Sequence, residues 1–162
     1  MKSGRLEDDI PGIRALLASC RRIAVVGLSN NWHRPSYFAA KYLKDHGYEI
    51  IPVNPKYESV LGVRCYPDLE SIPHDVDVVD IFQRAEVVRP FVEQAIAIKA
   101  RVVWLQLGII NREAAERAMG AGLDVVMNRC MKIEHARLFG GLNLVGVNTG
   151  VISSRRPHWL PH

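Results

Sequence analysis

The sequence predicts an α/β fold in which a mostly parallel sheet of about five strands lies between two layers of helix. Three observations point to it. Short apolar runs of about five residues recur along the chain, and they are apolar at successive positions rather than alternately, the pattern of strands buried on both faces. The segments between them carry apolar residues at helical spacing. Strands joined in this way by helices form a parallel sheet, because right-handed crossovers place the helices on both of its faces. The 162 residues suit one such domain with a core of its own.

Taken in order, Asp9 to Leu17 reads as a leading helix, with Asp9 as cap and Pro11 in the first turn, and is given the span 9–20. A first strand follows over Ile23 to Leu28. From Pro35 to His46 the apolar positions Ala39, Tyr42 and Leu43 recur at helical spacing, and Gly47 is a left-handed terminator. Tyr48 to Val53 is the second strand, and Asn54-Pro55-Lys56 ends it. The stretch to Pro73 is rich in Pro, Gly and Tyr and is expected to be mostly loop, with one short strand at Val60 to Val63.

Val76 to Phe82 is the third strand. After it Val88, Phe91, Val92, Ala95 and Ile96 form one helical face, which requires Pro90 to lie in a first turn or at a break. Val102 to Leu107 is the fourth strand. Asn111 caps a helix running to Ala121 that buries Ala114, Ala115, Ala118 and Met119, and Gly122 ends it before a fifth strand, Leu123 to Met127. The repeated βα units place the chain in the Rossmann-like class of three-layer sandwiches. The domain is expected over residues 1–150, and 151–162 form a basic tail without a fixed structure.

Composition narrows the function. The chain is 48% hydrophobic and 23% charged, as in ordinary globular proteins, and no apolar run approaches the roughly 20 residues that span a bilayer. Its N-terminus carries mixed charge and no apolar signal core, so a cytoplasmic location is expected and a membrane partner is not. The net charge of +4 is modest, and the basic residues alternate with acids instead of gathering on one face, which argues against nucleic acid. Cys20, Cys65 and Cys130 are far apart and show no ligand spacing, so they read as reduced thiols. The six histidines fall into no metal-binding spacing, and no metal site is assigned.

The first βα junction carries the chemistry. Val26-Gly27-Leu28 runs into the polar loop Ser29-Asn30-Asn31-Trp32-His33-Arg34 and then Pro35-Ser36 at the head of a helix. The first turn of a helix offers unpaired N–H groups and the positive end of its dipole, so an anion is held there with little side-chain help. Arg34 adds a cation that opposes the dipole unless an anion compensates it. Gly27 lets the backbone turn off the strand, and Pro35 suits the first helical position. In open parallel sheets ligands bind beyond the carboxyl ends of the strands, which selects Leu28 to Ser36, Asn54 to Lys56, Phe82 to Arg84, Gln106 to Gly108 and Asn128 to Cys130.

A dinucleotide fingerprint is missing. Gly27 is not followed by the second and third glycines, and the second strand ends in Asn54-Pro55-Lys56, without the acid that would accept a ribose hydroxyl. Lys56 suits a ribose phosphate instead, which leaves NADP or coenzyme A. A reductase would also need a proton donor beside a nicotinamide, and no such constellation is found. Coenzyme A fits better.

In that order and spacing the chain resembles the small single-domain CoA-binding proteins, whose fold is similar to the CoA-binding domain of the succinyl-CoA synthetase alpha subunit. The marks are Val26-Gly27-Leu28-Ser29, Arg34-Pro35-Ser36-Tyr37, Pro52-Val53-Asn54-Pro55, Val79-Asp80-Ile81-Phe82, Val103 to Gly108 and Asn128 to His135. The resemblance covers Arg22 to Leu138. Met131 departs from it, since many relatives have proline after the cysteine. It implies that Gly27, Leu28, Ser29, Asn30, Arg34, Pro35 and Ser36 hold the CoA pyrophosphate, and that Asn54, Pro55 and Lys56 lie by the adenosine and its 3′-phosphate. It also implies that Phe82, Gln83 and Arg84 border the adenine, and that the pantetheine arm runs toward Gln106 and Gly108.

The expected function is therefore noncovalent binding of coenzyme A or an acyl-CoA, a small nucleotide ligand, without catalysis. The alternatives are an NADP-dependent reductase and a protein-interaction module regulated by its ligand. The resemblance places the synthetase's phosphohistidine in a second domain, so no phosphohistidine site is expected among these residues. Cys130 is tempting as a nucleophile or as a partner for the CoA thiol. Its nearest candidate base, His135, is five residues on with no sign of convergence, so a reduced, inert thiol is expected.

Overall fold

The computed structural model describes residues 3–139, and the tail expected at 151–162 lies outside them. Seven strands occur in chain order: β1 (Arg22–Val26), β2 (Glu49–Val53), β3 (Ser59–Val60), β4 (Val63–Arg64), β5 (Val78–Ile81), β6 (Val102–Leu105) and β7 (Asp124–Met127). Five of them form one sheet in the order β2-β1-β5-β6-β7, and every pairing in it is parallel. All four residues of β5 and of β6 are buried, and β6 accordingly reads as an unbroken apolar run while β5 is interrupted only by Asp80.

Helices cover both faces. They are α1 (Ile10–Ser19), α2 (Pro35–Asp45), α3 (Arg89–Ala97), α4 (Arg112–Gly120) and α5 (Met131–Phe139). Ile23, Val25, Val78, Val102, Trp104 and Val126 of the sheet pack with Ile13 and Leu17 of α1, Ala40 and Leu43 of α2 and Met131 and Leu138 of α5. Ala24, Val26, Val79, Ile81, Val103 and Leu105 pack with Val92 and Ala95 of α3 and the alanines of α4. The result is the expected Rossmann-like sandwich of five helices and a five-stranded parallel sheet. Its helix ends follow the sequence signals: the Asp9 carboxylate accepts the Gly12 N–H at 2.8 Å, and the Asn111 side chain accepts the Ala114 N–H at 3.0 Å. Pro90 lies in the first turn of α3, as required.

Two local expectations change. The single strand anticipated at Val60 to Val63 is an antiparallel hairpin of β3 with β4. Leu61 and Gly62 both take positive φ, 54° and 71°, the two-residue turn that reverses a strand pair tightly. The charged N-terminal stretch also joins the sheet: Leu6 bridges Val125 in parallel, the Glu7 N–H donates to the Val125 carbonyl at 2.8 Å and the Val125 N–H to the Arg5 carbonyl at 2.9 Å. This segment covers the β7 edge, which would otherwise offer unpaired backbone groups.

Strand order reverses between β1 and β5, where the chain leaves β1 for β2 on one side and returns to β5 on the other. In open parallel sheets ligands bind beyond the carboxyl ends of the strands at such a point.

Candidate functional site

Gly27 sits at that reversal point with φ +83°, and its N–H donates to the Val53 carbonyl at 2.9 Å. A side chain here would put its Cβ 2.5 Å from the Phe82 carbonyl oxygen and 2.9 Å from the Gln83 amide nitrogen. Only glycine lets the turn after β1 approach the turn after β5 so closely. This contact fixes two of the predicted loops against each other.

The rest of the loop is shaped by its own polar groups. The Ser36 hydroxyl oxygen accepts the Ser29 N–H at 3.1 Å, the Ser29 hydroxyl accepts the Asn31 N–H at 3.1 Å, and the Asn31 side chain accepts the His33 N–H at 3.0 Å. Arg34 is the N-cap of α2, is exposed, makes no side-chain capping bond and has no acidic residue in the helix's first turn beneath it. Among the described residues no carboxylate lies within ion-pair distance of it. A cation on an uncapped helix N-terminus repels the dipole, and an anion seated there would relieve both. Asn30 and Pro35 are exposed beside it, Ser36 is buried, and Leu28 is fully buried in the core. Leu28 therefore offers the site only its backbone.

The second predicted segment joins the first through Asn54, whose Nδ2 donates to the Leu28 carbonyl at 3.2 Å while its Oδ1 accepts the Lys56 N–H at 3.0 Å. Pro55 and Lys56 are exposed. In the third segment Phe82 is partly buried against the core cluster that α1, α2 and α5 cover, and Arg84 is exposed, 3.9 Å from Glu86. Gly27, Asn54, Phe82 and Gln83 thus come together at one edge, with Arg34 and Lys56 as cations on the loops they hold.

Gln106 behaves differently from its neighbours at the strand ends. It is 3% exposed, and its Nε2 donates inward to the Asp80 carboxylate at 2.5 Å. The Gly108 N–H, at φ +85°, donates to the Asn128 side chain at 2.8 Å and so ties the loop after β6 to the loop after β7. Asp80 is the group that sequence reasoning passed over as one residue of an apolar strand. It is fully buried, its second oxygen has no partner, and burial pushes its carboxyl up to about 7, an effect the Gln106 amide only partly offsets. An acid inside an otherwise apolar strand was the available signal. His135 is not its counterpart: its Nδ1 is 3.0 Å from the Tyr42 hydroxyl, and burial lowers its pKa.

The model of the CoA binding domain matches residues 21–136, which is most of the chain. This chain belongs to the CoA-binding domain family. An uncharacterized protein from Bacillus subtilis, YneT, is 40% identical over 124 residues, covering 76% of this chain and 92% of that one. A solved structure of a hypothetical protein from Pyrococcus horikoshii is 46% identical, with a TM-score of 0.80 over 86% of this chain and 100% of that one. The ADP-forming acetate–CoA ligase II of Archaeoglobus fulgidus is 34% identical over 86 residues, covering 52% of this chain and 13% of the ligase. The CoA-binding domain thus occurs both in small proteins of this size and as a part of much larger ligases. Among the described residues no helix is long and apolar enough to cross a membrane, and no cluster of His, Cys, Asp or Glu could hold a metal ion.

Proposed function

We propose that this CoA-binding domain protein binds coenzyme A or an acyl-CoA noncovalently at the β1/β5 reversal point, in the cytoplasm, and performs no catalysis on it. The observation that carries the reading is Arg34, an exposed cation at an uncapped helix N-terminus with no carboxylate partner among the described residues, in a chain of this family. The pyrophosphate would lie across Gly27 to Ser36 against the α2 dipole. Lys56 would pair with the 3′-phosphate, Phe82 to Arg84 would border the adenine, and the pantetheine arm would pass toward Gly108. Gln106 contributes by holding Asp80 rather than by reaching the ligand.

The test is calorimetric titration of the nucleotide-free protein with CoA, with 3′-dephospho-CoA and NADPH as competitors. Tight binding of CoA that weakens when the 3′-phosphate is removed is the expected result. Binding of NADPH without CoA would overturn it.

A further inference from the structure

The two edges of the five-stranded sheet are closed unequally. At β7 the segment Arg5 to Glu7 pairs through both the N–H and the carbonyl of Val125. At β2 the outer edge carries one bridge, Val53 to Tyr66, in which the Tyr66 N–H donates to the Pro52 carbonyl and the Asn54 N–H to the Tyr66 carbonyl, both at 2.9 Å. Pairing stops there, because Pro52 has no N–H with which to continue the ladder. The Glu49 N–H and the Val53 carbonyl are turned toward β1, where they meet the Arg21 carbonyl and the Gly27 N–H. Backbone groups alternate in direction along a strand, so those of Ile50 point away from β1, and among the described residues the Ile50 N–H has no hydrogen bond. A backbone donor left open on an edge strand is a place where another chain can pair.

A groove of about 400 Å³ lies at this open stretch, lined by residues of both β2 and β4. Ile50, Ile51, Val63, Tyr48 and Tyr66 give it apolar walls. Two cations join them from opposite sides of the sheet. Lys44 belongs to α2, and its Nζ donates to the Leu61 carbonyl at 3.0 Å, which ties it to the turn of the hairpin. The Arg64 guanidinium lies 5.2 Å from the centre of the Tyr66 ring, and Tyr66 packs with the core cluster that α3 and α4 cover. Among the described residues neither cation has a carboxylate within ion-pair distance. Glu49, the carboxylate that lines the groove, is held by Arg22 at 2.9 Å. The groove therefore combines an open backbone donor, apolar walls and two cations without counter-charges.

We propose that this groove is a docking site for an extended acidic segment of a partner protein, which adds to the β2 edge as a further strand and pairs two consecutive carboxylates with Lys44 and Arg64. A backbone carbonyl of the segment accepts the Ile50 N–H, and its apolar side chains pack on the groove walls. Consecutive residues of a strand point to opposite faces, so adjacent acidic residues reach one cation on each side of the sheet, whereas acidic residues two apart crowd onto one side. A second copy of this chain would bring the same two cations to the edge and be repelled. Cations on an edge strand also serve in other proteins only to keep strands away, a role that predicts no acidic ligand. The proposal is independent of CoA binding, since the groove lies at the outer edge of the sheet and not at the β1/β5 reversal point.

The test titrates the full chain, by fluorescence anisotropy, into the fluorescein-labelled peptide Thr-Val-Glu-Glu-Val-Thr-amide, its isomer Thr-Glu-Val-Glu-Val-Thr-amide and the basic Thr-Val-Lys-Lys-Val-Thr-amide. Saturable binding of the first below about 1 mM, weaker binding of the isomer and none of the basic peptide are the expected results. Exchange of the Ile50 amide, followed by NMR, should slow when the first peptide is bound. Arg64→Glu should weaken that peptide by about five- to tenfold, and a peptide with Glu-Lys or Lys-Glu at its centre should recover the loss. Lys44→Glu also removes the bond to Leu61, so Arg64→Glu, with its fold checked by circular dichroism, carries the test. Absence of binding by the Glu-Glu peptide overturns the proposal and leaves the cations as guards of the edge. Equal binding of the isomer or of the basic peptide overturns the pairing with Lys44 and Arg64. Self-association of the chain that the Glu-Glu peptide fails to displace, read by sedimentation, overturns the acidic partner in favour of a second copy.

Discussion

The loop after β1 and the cluster at the ends of β5 and β6 are both polar, yet they are built on opposite terms. The loop satisfies its backbone with its own serine and asparagine side chains and leaves Arg34 exposed. The cluster buries Asp80 completely and satisfies one of its two oxygens. An exposed cation costs little while it waits, because water solvates it. A buried carboxyl lacks that solvent and responds by binding a proton. The first region is suited to holding a charged ligand, and the second to holding or passing a proton.

Breaking the junction between the two regions should have the largest effect. Gly27→Val forces a β-branched residue into positive φ and drives its Cβ against the Phe82 carbonyl, so a loss of about 3–5 kcal/mol is expected in denaturant unfolding. A variant as stable as the parent would mean that the two turns separate easily.

Asp80→Asn sharpens the contrast from the buried side. The folded carboxyl titrates at about 7, above its ordinary 3.8, so its stabilising contribution is full below pH 4 and lost as pH rises through 7. Asparagine keeps the acceptor for Gln106 and removes the charge. The variant should therefore gain about 2–4 kcal/mol over the parent at pH 8 and nothing at pH 4. Urea midpoints at the two pH values check this, and an equal gain at both would locate the effect elsewhere.

On the exposed side the effects should appear in binding rather than stability. Arg34→Ala should weaken CoA affinity by about 1.5–3 kcal/mol, the range for a hydrogen bond to a charged group, with the melting temperature unchanged. Calorimetry reads it directly, and unchanged affinity in a folded variant would remove Arg34 from the site. Lys56→Ala should be milder, about 0.5–1 kcal/mol, and should act on CoA but not on 3′-dephospho-CoA, because an exposed ion pair is screened by solvent.

What the sequence by itself determined is local and repetitive. Apolar runs at Ile23, Ile50, Val78, Val102 and Val125 specify strands because burial on both faces makes a polar side chain costly, Asp80 being the exception. Asp9, Asn111 and Gly47 mark helix ends because orphan backbone groups and positive φ admit few residue types. The Gly27 turn and the cations beside it were legible for the same reason. Tertiary structure alone decided what depends on contacts distant in sequence. Gln106 turns inward because Asp80, 26 residues earlier, offers it an acceptor. The charged N-terminus becomes a sheet edge because β7, more than a hundred residues later, has backbone groups to pair. Asp80 reads as one polar letter in Val78-Val79-Asp80-Ile81, and its place between Val25 and Trp104 with Gln106 as its partner exists only once β1, β5 and β6 are packed together.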